Sequence, residues 1–150
     1  MYNKKGSKIY AETNPQIICD IIQTEVPKLY NLDRALLLTY GFHSLNNLEG
    51  TFGSDGTRFT SNVIEYAAKC GLTGKALMNK EIMFSFFPTE NKNYNSQTDN
   101  IFGIEVLKNL ILIPLYDKKG LPNGVIQLGN RKAEFNKDFL VVFTRKVLTT

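Results

Sequence analysis

The alternation of apolar and polar positions divides this chain into helices and strands in mixed order. Residues 1–13 are polar and lysine-rich and read as a flexible lead-in. Asn14-Pro15 is a helix start, with Asn14 as N-cap and Pro15 at the first helical position, where a missing N–H costs nothing. Ile17, Ile18, Ile21, Ile22, Val26 and Leu29 follow at helical spacing and predict one apolar face, and Pro27 should kink or tighten the last turn. Arg34 to Phe42 is apolar enough for a central strand, whose loop is expected to close at Asn46-Asn47 and Glu49-Gly50. Gly53-Ser54-Asp55-Gly56 predicts a turn between two short edge strands. Local propensity then favours a helix over Ser61 to Cys70, and Gly71 to Asn79 predicts a short helix whose first turn carries two glycines. Ile82 to Phe84 reads as a brief strand, and Ser85 to Gly103 is rich in Asn, Ser, Thr and aromatics without a clean period.

The most regular stretch runs from Asn109 to Asn130. Leu110 to Tyr116 is an unbroken apolar run, and Asn123 to Leu128 is rich in β-branched residues, so the two predict a hairpin with Asp117-Lys118-Lys119-Gly120 at its tip. A run apolar on both faces belongs to a strand covered on both sides. Pro114, which donates nothing to a ladder, is expected at a bulge or edge position. Phe135 then starts a helix to Leu148 with Phe139, Leu140, Val142, Phe143 and Val147 on its core side, and a helix reaching Thr150 suggests a fragment of a longer protein.

This order of motifs resembles a GAF domain over about residues 14 to 148. The residues that carry the resemblance are Leu32 to Leu38, Gly71-Leu72-Thr73-Gly74, Ile111 to Leu115, Asp117 to Gly120, Gly124 to Leu128, Asn130, and Phe135 with Asp138. It implies an α+β fold over residues 14–150, a central antiparallel sheet with helices on both sides. The Pro15 and Phe135 helices would lie on one side, and the Gly71 helix and a pocket lid, Ser85 to Gly103, on the other. It also places a strand at about Asn62 to Tyr66, against the helical propensity there.

The bulk numbers suit one soluble domain: 150 residues, a formal charge of +4 and dispersed lysines. No apolar run approaches the roughly 18 residues of a membrane span, and MYNKKGSKIY has no apolar core after it, so neither a span nor a signal peptide is read and a cytoplasmic protein is expected. Nothing in the charge pattern calls for nucleic acid. Cys19 and Cys70 are far apart and read as buried small hydrophobes rather than a disulfide, a metal site or a chromophore anchor. His43 is the only histidine and lies beside no obvious nucleophile.

Two functions follow from the resemblance. In GAF domains that bind cyclic nucleotides, polar side chains read the purine and backbone N–H groups at a helix start hold the phosphate. The candidate pocket here is Leu36, Phe52, Asp99, Phe102, Val106, Leu107 and Gln127. Asp99 falls where those relatives carry a ligand-contacting aspartate. Ala35 or Leu36, Phe102, and Val106 or Leu107 fall where they carry polar groups, and Phe52 is a stacking platform or a core aromatic. Each ligand group buried unpaired against such apolar residues costs about 1–3 kcal/mol. The expected function is therefore a non-catalytic regulatory or interaction module with a degenerate pocket, in a larger signalling or scaffolding protein. The alternative is a cyclic GMP- or cyclic AMP-binding module controlling an attached phosphodiesterase or cyclase. A stand-alone methionine sulfoxide reductase of this family would need a cysteine inside the G-x-x-G turn, whereas Cys70 lies just outside it. The expected partners are other domains or a second copy, met through the Asn14–Tyr30 and Phe135–Leu148 helices, because Val141 and Leu148 point away from the core side.

Overall fold

The computed structural model describes residues 15–40, 47–51, 63–67, 70–101 and 103–132. The lead-in, His43, Phe52, the turn at 53–56, Phe102 and the Phe135–Leu148 helix all lie outside the described residues. The elements in chain order are α1 (Pro15–Thr24), α2 (Val26–Tyr30), β1 (Leu32–Tyr40), β2 (Asn47–Thr51), β3 (Val63–Ala67), α3 (Gly71–Asn79), β4 (Met83–Phe86), a 3-10 turn (Pro88–Glu90), α4 (Ser96–Asp99), β5 (Asn109–Tyr116) and β6 (Pro122–Arg131). The strands form one six-stranded sheet in the order β3-β2-β1-β6-β5-β4, antiparallel at every described pairing. This is the α+β arrangement that the hydrophobic pattern and the resemblance imply.

The unbroken apolar runs feed two cores at once because successive strand residues face opposite sides of a sheet. Ala35 and Leu37 of β1, Ile111 and Ile113 of β5, and Ile126 and Leu128 of β6 pack with Ile22 of α1 and Val26 of α2. Leu36, Leu38, Leu110, Leu112 and Val125 face the other way and pack with Leu72, Ala76 and Leu77 of α3. Pro114 lies past Leu112, the last β5 residue in register with β4, and one residue before the irregular register at Leu115/Tyr116. The ladder therefore asks no N–H of it on the β4 side. At the hairpin tip the Asp117 carboxylate accepts from the N–H of Lys119 and of Leu121, and Gly120 takes a φ of 79°.

Three expectations change. The first helix breaks at Glu25 under the influence of Pro27, and the short second helix turns Leu29 outward to 40% exposure, off the apolar face assigned to it. β1 runs from Leu32 to Tyr40 rather than from Arg34, starting directly after Asn31, which ends α2 in the left-handed conformation. Asn47, Glu49 and Gly50 are not a loop closure but part of β2: Leu48 is fully buried on the α3 side, and a side chain at Gly50 would run into Leu38 Cδ2. Glycine there serves close packing, not a turn. Residues 63–67 do form a strand, β3, paired along its length with β2, about where the resemblance places one, so sheet pairing overrides the local helical preference.

Candidate functional site

The site grows from the start of α3. The first N–H groups of any helix have no partner inside it, and this one opens at Gly71, whose φ is 70°. The acceptor comes from α4: Asp99 Oδ2 takes the N–H of Leu72 at 2.9 Å, and Oδ1 takes the N–H of Thr73 at 2.9 Å and its hydroxyl at 2.6 Å. Oδ2 also accepts from the N–H of Asn95 at 2.9 Å. The carboxylate is thus met by four donors at 2.9 Å or less, and more loosely by the Thr98 hydroxyl at 3.4 Å, with only 2% of its residue exposed. A negative charge at a helix start is favoured by the helix dipole as well as by these bonds. Gly71 must be glycine on two counts, since its φ is positive and a Cβ there would lie 2.6 Å from Asp99 Oδ2.

Gln127 on β6 completes the arrangement. Its amide Nε2 donates to Thr73 Oγ1 at 2.7 Å and to the Thr98 carbonyl at 2.7 Å, which ties the sheet, α3 and α4 together. Asn95 caps α4 by accepting from Gln97 N–H, and its Nδ2 donates to Cys70 Sγ at 3.1 Å. Tyr94 stands nearby, its phenol pushed up mainly by burial and further by the charge of Asp99, against a lowering bond with Asn100. What space is left between Arg34, Asp99, Ile104, Leu107, Leu110 and Gln127 amounts to about 10 Å³. That is room for roughly one water molecule.

Of the seven residues proposed from sequence, the structure brings Asp99, Leu107 and Gln127 together around this small cavity. Leu36 is fully buried on the same side of the sheet, among Leu38, Leu48 and the α3 leucines. Val106 is 60% exposed and lines a different, open cleft of about 610 Å³ with Asp33, Lys108, Asn130 and Arg131. Phe52 and Phe102 lie outside the described residues. Asn130, with a φ of 56°, braces the chain beside that cleft: its Oδ1 accepts from Lys108 N–H at 2.7 Å, and its Nδ2 donates to the Val106 carbonyl at 2.7 Å and to Asp33 Oδ2 at 3.1 Å. Thr73, Asn95 and Thr98 are participants that the sequence reading missed. Asn95 followed by Asp99 was a legible cap-and-turn signal, but nothing local pointed Asp99 at a helix 26 residues upstream.

Cys70 is partly exposed and held by Asn95, and Cys19 is partly buried against the α1-side core, its thiol pushed up by burial. Among the described residues no three His, Cys, Asp or Glu side chains come together as a metal site. None of the described helices is long and apolar enough to cross a membrane.

This architecture is the GAF fold. No family profile matches the chain, and no curated protein sequence matches it either. Solved structures do. The GAF domain of a phosphoenolpyruvate-protein phosphotransferase from Coxiella burnetii superposes with a TM-score of 0.71 over 93% of this chain and 83% of that one, at 14% identity. The GAF domain of a two-component sensor histidine kinase from Bacillus halodurans gives 0.60 over 82% of each chain, at 20% identity. A free methionine-R-sulfoxide reductase from Neisseria meningitidis, solved with its substrate, gives 0.69 over 95% of this chain and 79% of that one, at 12% identity.

Proposed function

We propose that the chain is a non-catalytic GAF-type regulatory or interaction module of a larger cytoplasmic signalling or scaffolding protein, with its ligand cavity filled by its own side chains. It would meet other domains, or a second copy, through its terminal helices. The observation that carries the reading is the position of the Asp99 carboxylate: it occupies the start of α3, and about 10 Å³ remains beside it. The likeness to GAF domains of a sensor histidine kinase and a phosphotransferase supports the regulatory part of the reading.

A cyclic nucleotide would have to displace Asp99 and find partners on Leu36 and Leu107, which offer none. Thermal unfolding in millimolar cyclic GMP or cyclic AMP is therefore expected to move the midpoint by less than about 1 °C. A ligand present at about 100 times its dissociation constant would add roughly 2.7 kcal/mol, or roughly 5–10 °C for a chain of this size. An upward shift at micromolar nucleotide would put the alternative, a cyclic-nucleotide-binding module of a phosphodiesterase or cyclase, in first place.

The likeness to the sulfoxide reductase calls for a separate check. Here the turn carries Thr73, whose hydroxyl proton is engaged by Asp99, and Cys70 Sγ is engaged by Asn95. A nucleophile needs a free, activated sulfur in reach of substrate. Incubation with free methionine sulfoxide and a thiol reductant is expected to give no turnover above the protein-free blank. Turnover that disappears in Cys70→Ser would overturn the non-catalytic reading.

A further inference from the structure

Gln23 is out of keeping with the helix that carries it. It stands between two core residues, Ile22 and Val26, is itself only 2% exposed, and neither its amide Oε1 nor its Nε2 has a hydrogen-bond partner among the described residues. A buried amide left unpaired weakens a fold, whereas methionine, of similar size and helix preference, would fill the same place without that penalty. An exception of this kind calls for an explanation. Gln23 forms part of the wall of a cleft of about 330 Å³, together with Thr24, Pro27, Lys28, Asp33 and Arg34, where α1, α2 and β1 meet. That is at the lower end of the range for pockets that take small molecules, about 300–1,000 Å³, and about ten times the share of one water molecule in the liquid. No described hydrogen bond holds the amide, so turning it to face the cleft breaks none.

An amide offers donors and an acceptor side by side, and is matched by a group that presents a C=O next to an N–H. The rim of the cleft favours an acid. Lys28 and Arg34 outnumber Asp33 there, and Asp33 is itself already held by Lys132 at 3.4 Å and by the Asn130 amide at 3.1 Å. We infer that the cleft between the α1–α2 break and the start of β1 is a binding site for a carboxylic acid that carries an amide group close to its carboxylate, with Gln23 as the residue that selects it. The Gln23 amide pairs with the amide of the ligand, and Lys28 and Arg34 hold the carboxylate, the guanidinium fork being suited to a two-point contact. Pairing removes the penalty of the buried amide, so occupancy stabilises the fold. It also joins α1, α2 and β1 across the helix break at Glu25, on the side of the sheet away from α3. The inference does not depend on how the cavity beside Asp99 is filled.

Magnetic-resonance titration of the isotope-labelled whole chain with N-acetylglycine, which carries both groups, tests this. The dissociation constant is expected in the millimolar range, as suits so small a molecule, with the side-chain amide of Gln23 and the backbone amides of Lys28 and Arg34 following one binding curve. Acetate and N-acetylglycinamide, each lacking one of the two groups, should bind at least about tenfold more weakly. A short acetylated peptide ending in glycine separates the two sources of this chemistry. Binding no tighter than that of N-acetylglycine assigns the site to a free small acid, and tighter binding assigns it to the carboxyl end of a polypeptide. Gln23→Met should raise the thermal midpoint by roughly 2–5 °C and remove the response to N-acetylglycine. A Gln23→Met midpoint at or below that of the wild type, or a variant that does not fold, would show that the amide is engaged inside the chain and would overturn the site. So would a Gln23 side chain that does not respond to N-acetylglycine, or that responds equally to acetate.

Discussion

Asp99→Ala is expected to be among the most destabilising single changes in the described part of this chain, by about 3–5 kcal/mol. The substitution leaves four donors without their acceptor: the N–H groups of Leu72, Thr73 and Asn95, and the Thr73 hydroxyl. A hydrogen bond to a charged group contributes about 1.5–3 kcal/mol, and a buried donor left unpaired costs about 1–3 kcal/mol. The four are not additive, because water entering the vacated space recovers part of the loss. The helix also loses the negative charge at its start, worth up to about 2 kcal/mol in a partly buried setting. For a domain of this length the midpoint should fall by roughly 10–15 °C. Asp99→Asn keeps the shape and one acceptor oxygen but turns an amide N–H₂ towards donors, so it should lie between the wild type and alanine. A melt of Asp99→Ala within about 2 °C of wild type would show that the carboxylate contributes no more than a surface group does.

Gly124→Ala is expected to cost about 3 kcal/mol or more, for a reason unrelated to the cavity. Gly124 sits in β6 opposite Thr39 of β1 and Leu115 of β5. A Cβ there would run into the Leu38 carbonyl and lie 3.3 Å from Thr39 Cα. Both are backbone atoms of a central strand, so no side-chain rotation relieves the overlap, and the β1–β6 pairing must separate locally. That places the change at or above the upper end of overpacking penalties, about 1–3 kcal/mol. Gly120→Ala at the hairpin tip is the matched control. Its φ of 79° is strained for alanine, but nothing lies within 4 Å of the added methyl. It should cost only the conformational term, about 1–2 kcal/mol. Urea titrations of the two variants, analysed with a common slope, would reveal the difference as a lower midpoint for Gly124→Ala. Equal midpoints would mean that the sheet accommodates the extra carbon.

What these two sites have in common is a neighbour far away in sequence, and that divides what the chain's own pattern determined from what it did not. Helix starts and turn tips are local events, governed by caps, proline and side-chain-to-backbone bonds within a few residues, so α1 at Pro15, the Asp117–Gly120 tip and α3 at Gly71 could be read directly. The apolar runs at Leu36–Leu38 and Leu110–Ile113 pointed to strands buried on both faces, since runs this short suit a covered strand better than a buried helix. Tertiary structure alone decided that Gly50 and Gly124 serve close contact with β1 and that Leu29 turns outward after the break at Glu25, while β3, a strand against its local preference, was legible only through the order of motifs and not from its own residues. It also decided the use of Asp99. An aspartate near a lid has the same local chemistry whether it awaits a ligand or caps a helix of its own chain. Only the packing of α4 against α3 supplies the unpaired N–H groups that claim the carboxylate, and that competition is invisible until both elements lie side by side.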